Sequence, residues 1–589
     1  MSKEYFIGVD VGSASVRAGL YSLQETRFIK TATEPISIHR QTFVCHQNRT
    51  CETISQSSGQ IWNAVCRCVR SVTSKVDAHL VKGIGFDATC SLVVVDSNAG
   101  KPISVIPTDV SATGFAGNLE PNSERNLSQT REHAFDIIMW QDHRAKSETD
   151  FINEALQDHI ALKFVGGKVS VEMELPKILW IKKYLPNVYQ SAEKFMDLCD
   201  FLTWKATNSD YRSVCSVVCK WLYQINPEQP TQQQWDPSIF TQIGLEDLCQ
   251  NNFEKIGINV RNPGERVGNG LSKRAANEMN LPENTPVAVG IIDAHAGALA
   301  LSFCSSPTYT GSENHTPLSR LSLICGTSTC FMISSDRPLF VPGVWGPYYS
   351  AIIPQSWSTE GGQSSAGQFL DHIIQTHPYY LVNLEKMGMN DCYSLLNQRV
   401  KEIAKKDHME DFGHLSDQLH IFPDFHGNRS PLSAPSIRGL ITGLTLDGSS
   451  EHSLIRLYIA ALQSLAYESK WIIEVMGEHG VRVTSIAVCG GLSLNPLFVR
   501  TLTDIVGKPV MLPEIQESVT LGAAILAATA SGTFKSVQTA AAAMAGKGSL
   551  VEPNPLVKAY HEKRYKIFRK LAKLQFQLMN EGLPDSADF

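Results

Sequence analysis

No stretch of about 18 consecutive apolar residues occurs in the chain, so a membrane-spanning helix is not expected. Even the alanine-rich run Ala523–Ala530 is short. Basic residues are not in surplus. There are 52 Lys and Arg against 58 Asp and Glu, a net charge of -6, and without a basic field a nucleic-acid partner is disfavoured. Cysteine is too sparse for a disulfide scaffold, at 14 in 589 residues. The spacings also fail as zinc knuckles. Cys66-x-Cys68 is too tight, and Cys215-x3-Cys219 has no second Cys pair or His pair behind it. Reduced thiols in a cytosolic protein account for them. Met1-Ser-Lys-Glu-Tyr-Phe runs straight into a strand pattern, with no apolar signal-peptide core behind it, so a cytoplasmic protein is expected. Two phosphate-binding signatures are missing as well: G-x-G-x-x-G after the first strand, and Gly-x4-Gly-Lys-Ser/Thr.

What is present is a folded composition, 43% hydrophobic and 19% charged. A chain of 589 residues is too long for a single core, so two or more domains are expected. Tyr5 to Tyr21 reads as strand, tight turn, strand, with Gly12, Ser13, Ala14 and Ser15 in the turn. Leu321 to Ile333 has the same shape around Gly326-Thr327-Ser328-Thr329. A second pair repeats downstream of each hairpin on the same reading: Val287-Ala-Val-Gly-Ile-Ile-Asp and Ile486-Ala-Val-Cys-Gly-Gly-Leu each run from a strand through a turn toward a small-residue helix. The chain thus reads as two related α/β halves, a duplication rather than a solenoid. Residues 1–304 form the first half, 321–545 the second, and 546–589 a helical tail, with the boundary in the turn-forming run Ser305–Pro317. Residues 371–420 look like a helical, polar insertion. Ser453–Met476 has the apolar spacing of a packed helix. The stripe Tyr560, Ile567, Phe568, Leu571 and Leu574 would serve a partner or a membrane, or pack back on its own protein, and the last is favoured.

A glycine turn carrying Ser or Thr aims several backbone N–H groups and hydroxyls at one concave spot, an anion cradle. Two such turns, one per half, can hold the phosphates of one nucleotide from both sides. Asp10 stands two residues before Gly12, where the second hairpin has Ile324. A carboxylate beside a phosphate cradle needs a cation between, so Asp10 is a candidate Mg²⁺ partner through water, or else a cap on the turn. Arg17 shares a strand face with Ser13 and Ser15, and either touches phosphate or is solvated. Asp293 ends a strand and starts a small-residue helix, so its carboxylate can enter a cleft between the halves and take a proton from an attacking hydroxyl. His295 reads as structural. Gly490-Gly491 at a strand end can lie flat against a nucleotide base, and Asn495-Pro496 opens the following helix.

In order along the chain stand Asp10-Val-Gly-Ser, Gly85-Phe-Asp-Ala-Thr-Cys, Trp140-Gln-Asp-His-Arg-Ala, Pro176-Lys-Ile-Leu-Trp, Gly290-Ile-Ile-Asp-Ala-His-Ala, Cys325-Gly-Thr-Ser, Glu360-Gly-Gly-Gln-Ser and Gly490-Gly-Leu-Ser-Leu-Asn-Pro. With these pieces the sequence resembles the FGGY carbohydrate kinases over nearly its whole length. Asp200-Phe-Leu-Thr-Trp, Val218-Cys-Lys-Trp, Val341-Pro-Gly-Val-Trp and Pro423-Asp-Phe-His-Gly-Asn-Arg are similar to the ribulokinase branch of that family. The resemblance implies an α/β fold of two duplicated actin/hexokinase-like (ribonuclease H-like) domains around a catalytic cleft. It implies an ATP- and Mg²⁺-dependent kinase for the terminal hydroxyl of a ketopentose, D-ribulose foremost, with D-xylulose, L-ribulose and ribitol as alternatives. It places sugar contacts at Ala88, Lys220, Asp293 and Glu360, with Trp140 as an apolar wall. It places nucleotide contacts at Ser13, Gly326, Thr327, Gly362, Gly490, Gly491 and Asn495, to which the hairpins add Asp10, Ser15, Arg17 and Ser328. Many family members are dimers or tetramers, which allows a homo-oligomer here. One departure is Glu174, where the family often has Ser, Thr or Pro three residues before the lysine of Lys-x-x-Trp; it reads as a variation on a structural helix. The rival reading is a non-catalytic sugar or nucleotide sensor, disfavoured because Asp10, Ser13, Thr327 and Asp293 are all present.

Overall fold

The computed structural model describes residues 3–45, 49–96, 102–106, 134–306, 316–409 and 411–580. Residues 307–315 of the expected boundary lie outside that set.

Tyr5–Val11 is buried at every residue, as befits a strand paired on both edges and covered on both faces. It hydrogen-bonds antiparallel to Ser15–Ser22 and parallel to Val81–Ala88. Arg27–Pro35 and Ile291–Ile292 complete a five-stranded sheet, the N-sheet. The second half repeats this plan. Arg320–Cys325 pairs antiparallel with Thr329–Ser335 and parallel with Ser485–Cys489. Trp357–Gln363 and Val510–Pro513 flank them inside a seven-stranded C-sheet. A third sheet, also of five strands, belongs to the first half as well, its strands drawn from residues 39–197.

The duplication is real, but one pairing read from sequence is corrected. Ile291–Ile292 is the fifth strand of its sheet in this plan, and its counterpart is Val510–Pro513. Ser485–Cys489, the strand of Ile486-Ala-Val-Cys, corresponds instead to Val81–Ala88. A short apolar run ending in glycine looks the same in either place; only the pairing partners tell them apart.

With this correspondence, the two helices that follow the fifth strands are equivalent, Asp293–Phe303 and Ser518–Ala530. Both are apolar all round and nearly fully buried, the pattern of helices enclosed by protein. The first packs on strands of the C-sheet and the second on strands of the N-sheet, so the halves exchange helices. The two helices also touch each other, and Gly522 makes this possible: a Cβ there would sit 2.1 Å from Ala296 O. Asp293 therefore begins a helix wedged between the two sheets, at the floor of the cleft.

The long helix Glu451–Glu478 backs the C-sheet, matching the predicted packed helix. Within the predicted insertion, Gly367–Gln375, Pro378–Asn383 and Met389–Lys406 are helical. The C-terminal helix Lys558–Asn580 packs against its own protein, as favoured from sequence. Arg564 fastens it, donating to Asp417 O at 2.8 Å and Leu419 O at 2.7 Å. No described helix is long and apolar enough to cross a membrane.

Candidate active site

Each hairpin turn is closed by a bond from its glycine N–H, over three residues in the first and two in the second. Gly12 N–H donates to Ser15 O at 3.0 Å, and Gly326 N–H donates to Ser328 O at 2.9 Å. The second turn is exposed at Gly326 and Thr327 and buttressed from below, since Thr327 O accepts from Ala366 N–H at 2.8 Å. In the first turn the Ser13 hydroxyl accepts from the Trp140 indole N–H at 3.0 Å. Trp140, expected as a wall of the sugar pocket, thus reaches the first hairpin and fixes the hydroxyl there.

Asp10 is buried, and Arg17 donates to its carboxylate at 3.2 Å. Arg17 itself is half exposed, so the arginine bends back toward the cleft floor. Beside Asp10, in register on the adjacent parallel strand, stands Asp87, which no sequence argument gave a role. Neither Asp87 oxygen has a nitrogen or hydroxyl donor to meet. Burial, then the charges of Asp10 and Asp293, push its carboxyl well above the usual range. Asp293 completes the group. Its Oδ1 accepts from the Ala294 N–H at 2.7 Å, and burial, then Asp10, raise its carboxyl to about 7. Three carboxyls interacting in this way, Asp10 and Asp87 buried and Asp293 partly buried, cannot all ionise without a cation among them.

Of the residues expected at the sugar, Ala88 ends a buried strand between Val11 and Ile292. Lys220 ends the short helix Val214–Lys220, buried, with its ammonium 3.7 Å from Glu360 Oε2 and 4.2 Å over the Trp345 ring. Burial opposes the charge on Lys220, yet Glu360 and nearby acidic groups hold its pKa above the ordinary value. Glu360 comes from the C-sheet, so this pair spans the two halves. A second spanning pair lies alongside: Arg429 donates to Glu172 at 2.8 Å and also faces the Trp345 ring. Glu172, Trp345 and Arg429 were not among the expected site residues. Two of them stand in motif pieces used for the resemblance, but spacing alone gave them no role.

At the other end, Gly490 has φ +89 and lies so close that a Cβ would be 2.5 Å from Cys325 O. Gly491 is exposed beside it, while Gly362 is buried against Arg429. Asn495 is committed locally. Its Oδ1 caps Leu497 and Phe498 N–H, and its amide donates to Tyr458 at 2.6 Å. It holds the turn after Gly491 in place rather than offering its side chain to the cleft. Glu174 is buried in an ion pair with Lys177 at 3.1 Å.

Residues 110–300 match the N-terminal domain, and residues 321–531 the C-terminal domain, of the FGGY family of carbohydrate kinases. The chain belongs to the FGGY family. It is an ATP-dependent sugar kinase of the actin/hexokinase-like fold. Over 97% of its length it is 42% identical to an FGGY carbohydrate kinase domain-containing protein of Xenopus laevis, covering 96% of that relative. It is 36% identical to a D-ribulokinase of Saccharomyces cerevisiae over 90% of this chain and 72% of the relative. A xylulose kinase from Lactobacillus acidophilus superposes with a TM-score of 0.73 at 16% identity, over 98% of this chain and 99% of that one.

Proposed function

We propose that this kinase transfers the γ-phosphoryl group of ATP to the terminal hydroxyl of a ketopentose, D-ribulose being the preferred substrate. The observation that carries the reading is Asp293: a partly buried carboxyl at the helix start, raised to about 7, within reach of the charges of Asp10, Lys220 and Glu360. A base poised near neutral pH suits proton removal from a sugar hydroxyl. The preference for a pentulose is supported by the likeness to a D-ribulokinase, and that for D-ribulose by the same relative.

In this reading Asp293 accepts the hydroxyl proton as the sugar oxygen bonds to the γ-phosphorus and the bond to the β-phosphate bridging oxygen breaks, leaving ADP. Phosphoryl transfer depends mainly on alignment and charge stabilisation. The N–H groups of Thr327 and Ser328 and the Ser13, Ser15, Thr327 and Ser328 hydroxyls supply the latter, the Gly326 N–H being used to close the turn. Lys220 donates to sugar hydroxyls, held by Glu360 and the face of Trp345. The cluster of Asp10, Asp87 and Asp293, with its unpartnered oxygens, fits a divalent cation. Asp10 would hold Mg²⁺ through water, and the ion, when bound, neutralises phosphate charge. Closure of the two halves excludes water.

The test is a panel of D-ribulose, D-xylulose, L-ribulose and ribitol with ATP and Mg²⁺, followed by ADP formation. The highest kcat/KM for D-ribulose is expected. A higher value for another sugar overturns the substrate, and no turnover with any of them overturns the pentulose reading.

A further inference from the structure

The pair Cys215 and Cys219, incomplete as a metal motif along the chain, is completed in space. Both stand one turn apart on the helix Val214–Lys220, which ends in Lys220. His295 comes from the central helix, 76 residues past Cys219, and its Nε2 lies 3.4 Å from Cys219 Sγ. The ligating atoms of Cys215, Cys219 and His295 all lie within 4.8 Å of one another, and all three residues are buried. A fourth donor approaches from the opposite half. Glu360 Oε2 is 3.9 Å from His295 Nε2, and this oxygen is buried with no hydrogen-bond partner. Glu360 is 5% exposed.

We propose that Cys215, Cys219, His295 and Glu360 form a binding site for a thiophilic divalent cation of the zinc class, and that its occupation excludes the sugar. The chemistry and dimensions agree. Zinc prefers thiolate and imidazole donors with carboxylate as a further ligand, in a tetrahedron. Bond lengths of about 2.3 Å to sulfur and about 2.0–2.1 Å to nitrogen give a sulfur-to-nitrogen edge of roughly 3.6 Å, close to the 3.4 Å found. The nitrogen-to-oxygen edge would be roughly 3.4 Å, and 3.9 Å is found; Glu360 stands outside the compact group of three, so it completes the set by moving in toward the thiols. Burial keeps His295 neutral, with a pKa lowered to about 4, and a neutral imidazole is the ligating form. Binding converts two thiols to thiolates and releases two protons to solvent.

The functional consequence rests on the proposed role of Glu360 and Lys220 in the sugar pocket. The same Glu360 oxygen lies 3.7 Å from Lys220. A cation that takes it removes the lysine's counter-ion and ties the two halves together through protein ligands, with the pocket between them. Inhibition is therefore competitive with sugar and not with ATP. The structural role expected for His295 is not displaced by this; the same packing that fixes the ring aims its Nε2 at the thiols.

The decisive experiment is cadmium titration of the full-length, reduced protein, read as the ultraviolet thiolate-to-metal charge-transfer band, together with cobalt titration read in the visible. One equivalent is expected to produce both signatures. Cys215→Ala, which leaves the proposed sugar contacts untouched, is expected to abolish the stoichiometric band and weaken cadmium binding by more than the about 10–100-fold typical for loss of an outer partner. It should keep metal-free kinase activity and escape zinc inhibition. Glu360→Gln should weaken the metal while retaining the thiolate band at saturation. Absence of the band at one equivalent, or a band undiminished in Cys215→Ala, overturns the site. An unaltered metal affinity in Glu360→Gln, or zinc inhibition not relieved by sugar, overturns the overlap with the pocket. The band does not depend on turnover, so failure of the pentulose reading leaves this test intact.

Discussion

Asp10 and Asp87 are register partners on neighbouring parallel strands, and their carboxyls meet on the cleft floor with Asp293 as the third member. Burial raises Asp10 too, although Arg17 opposes the shift. Burial and Asp10 together push Asp87 toward its neutral form, and a neutral carboxyl can donate to the Asp10 carboxylate. Asn at position 87 can donate in the same way, whereas Ala cannot. Asp87→Asn is therefore expected to retain most of kcat, and Asp87→Ala to lose at least about tenfold, the effect of about 1.4 kcal/mol. Steady-state kinetics across a Mg²⁺ titration checks this. Equal losses in the two variants would show that position 87 tolerates no change of shape and that the donor argument is wrong.

Removal of the base gives a different signature. Asp293→Asn keeps the shape of the helix start and the contact to Ala294, but it cannot accept a proton. Turnover is expected to fall by about 10²–10⁴-fold, with ATP affinity changed little. Pre-steady-state ADP formation and calorimetric nucleotide binding separate the two. Near-normal turnover would exclude Asp293 as the base.

The pH dependence follows from the same carboxyl. Only its ionised form accepts a proton, and its pKa is raised to about 7. The kcat/KM for sugar should thus rise with pH through about 7 and then level off. Burial is the main cause and Asp10 adds to it, whereas Lys220 works in the opposite direction. Lys220→Ala is expected to move the limb to higher pH and to raise KM for sugar more than KM for ATP. A limb that stays in place while both KM values rise alike would mark a general loss of structure.

How far the sequence carried the fold and site depends on what kind of signal each residue leaves. The hairpins were legible because alternating apolar residues around Gly12 and Gly326 make a local pattern, and Asp293 because it interrupts an apolar run before a small-residue helix. The fifth strand was misassigned because Val287-Ala-Val-Gly and Ile486-Ala-Val-Cys are locally alike, while strand order is set by partners hundreds of residues away. Asp87 was visible only as part of a motif, since its meaning comes from register with Asp10. Glu172 and Arg429 meet across 257 residues, and nothing local in either segment announces the other. Asn495 shows the converse: its position was read correctly at a helix start, and the cap geometry then uses up its side chain.

The exchange of helices between halves makes one packing prediction that touches no catalytic group. The helix Ser518–Ala530 lies across the N-sheet so closely that a Cβ on Gly8 would fall 2.0 Å from Thr520 O and 2.9 Å from Ala524 N. Backbone, not a flexible side-chain tip, occupies the space, so the helix itself must move. Such overpacking costs about 1–3 kcal/mol, sometimes more. The same movement would carry Gly522 against Ala296 O and disturb the helix that begins at Asp293. Gly8→Ala is therefore expected to lower the unfolding midpoint in chemical denaturant and to reduce kcat, while the surface change Lys401→Ala, on the exposed face of the helix Met389–Lys406, does neither to a comparable extent. Denaturant titration beside kinetics on the same preparations gives both readouts. Wild-type stability in Gly8→Ala would mean that the helix can shift freely over the sheet, and the coupling between the exchanged helices and the base would fall with it.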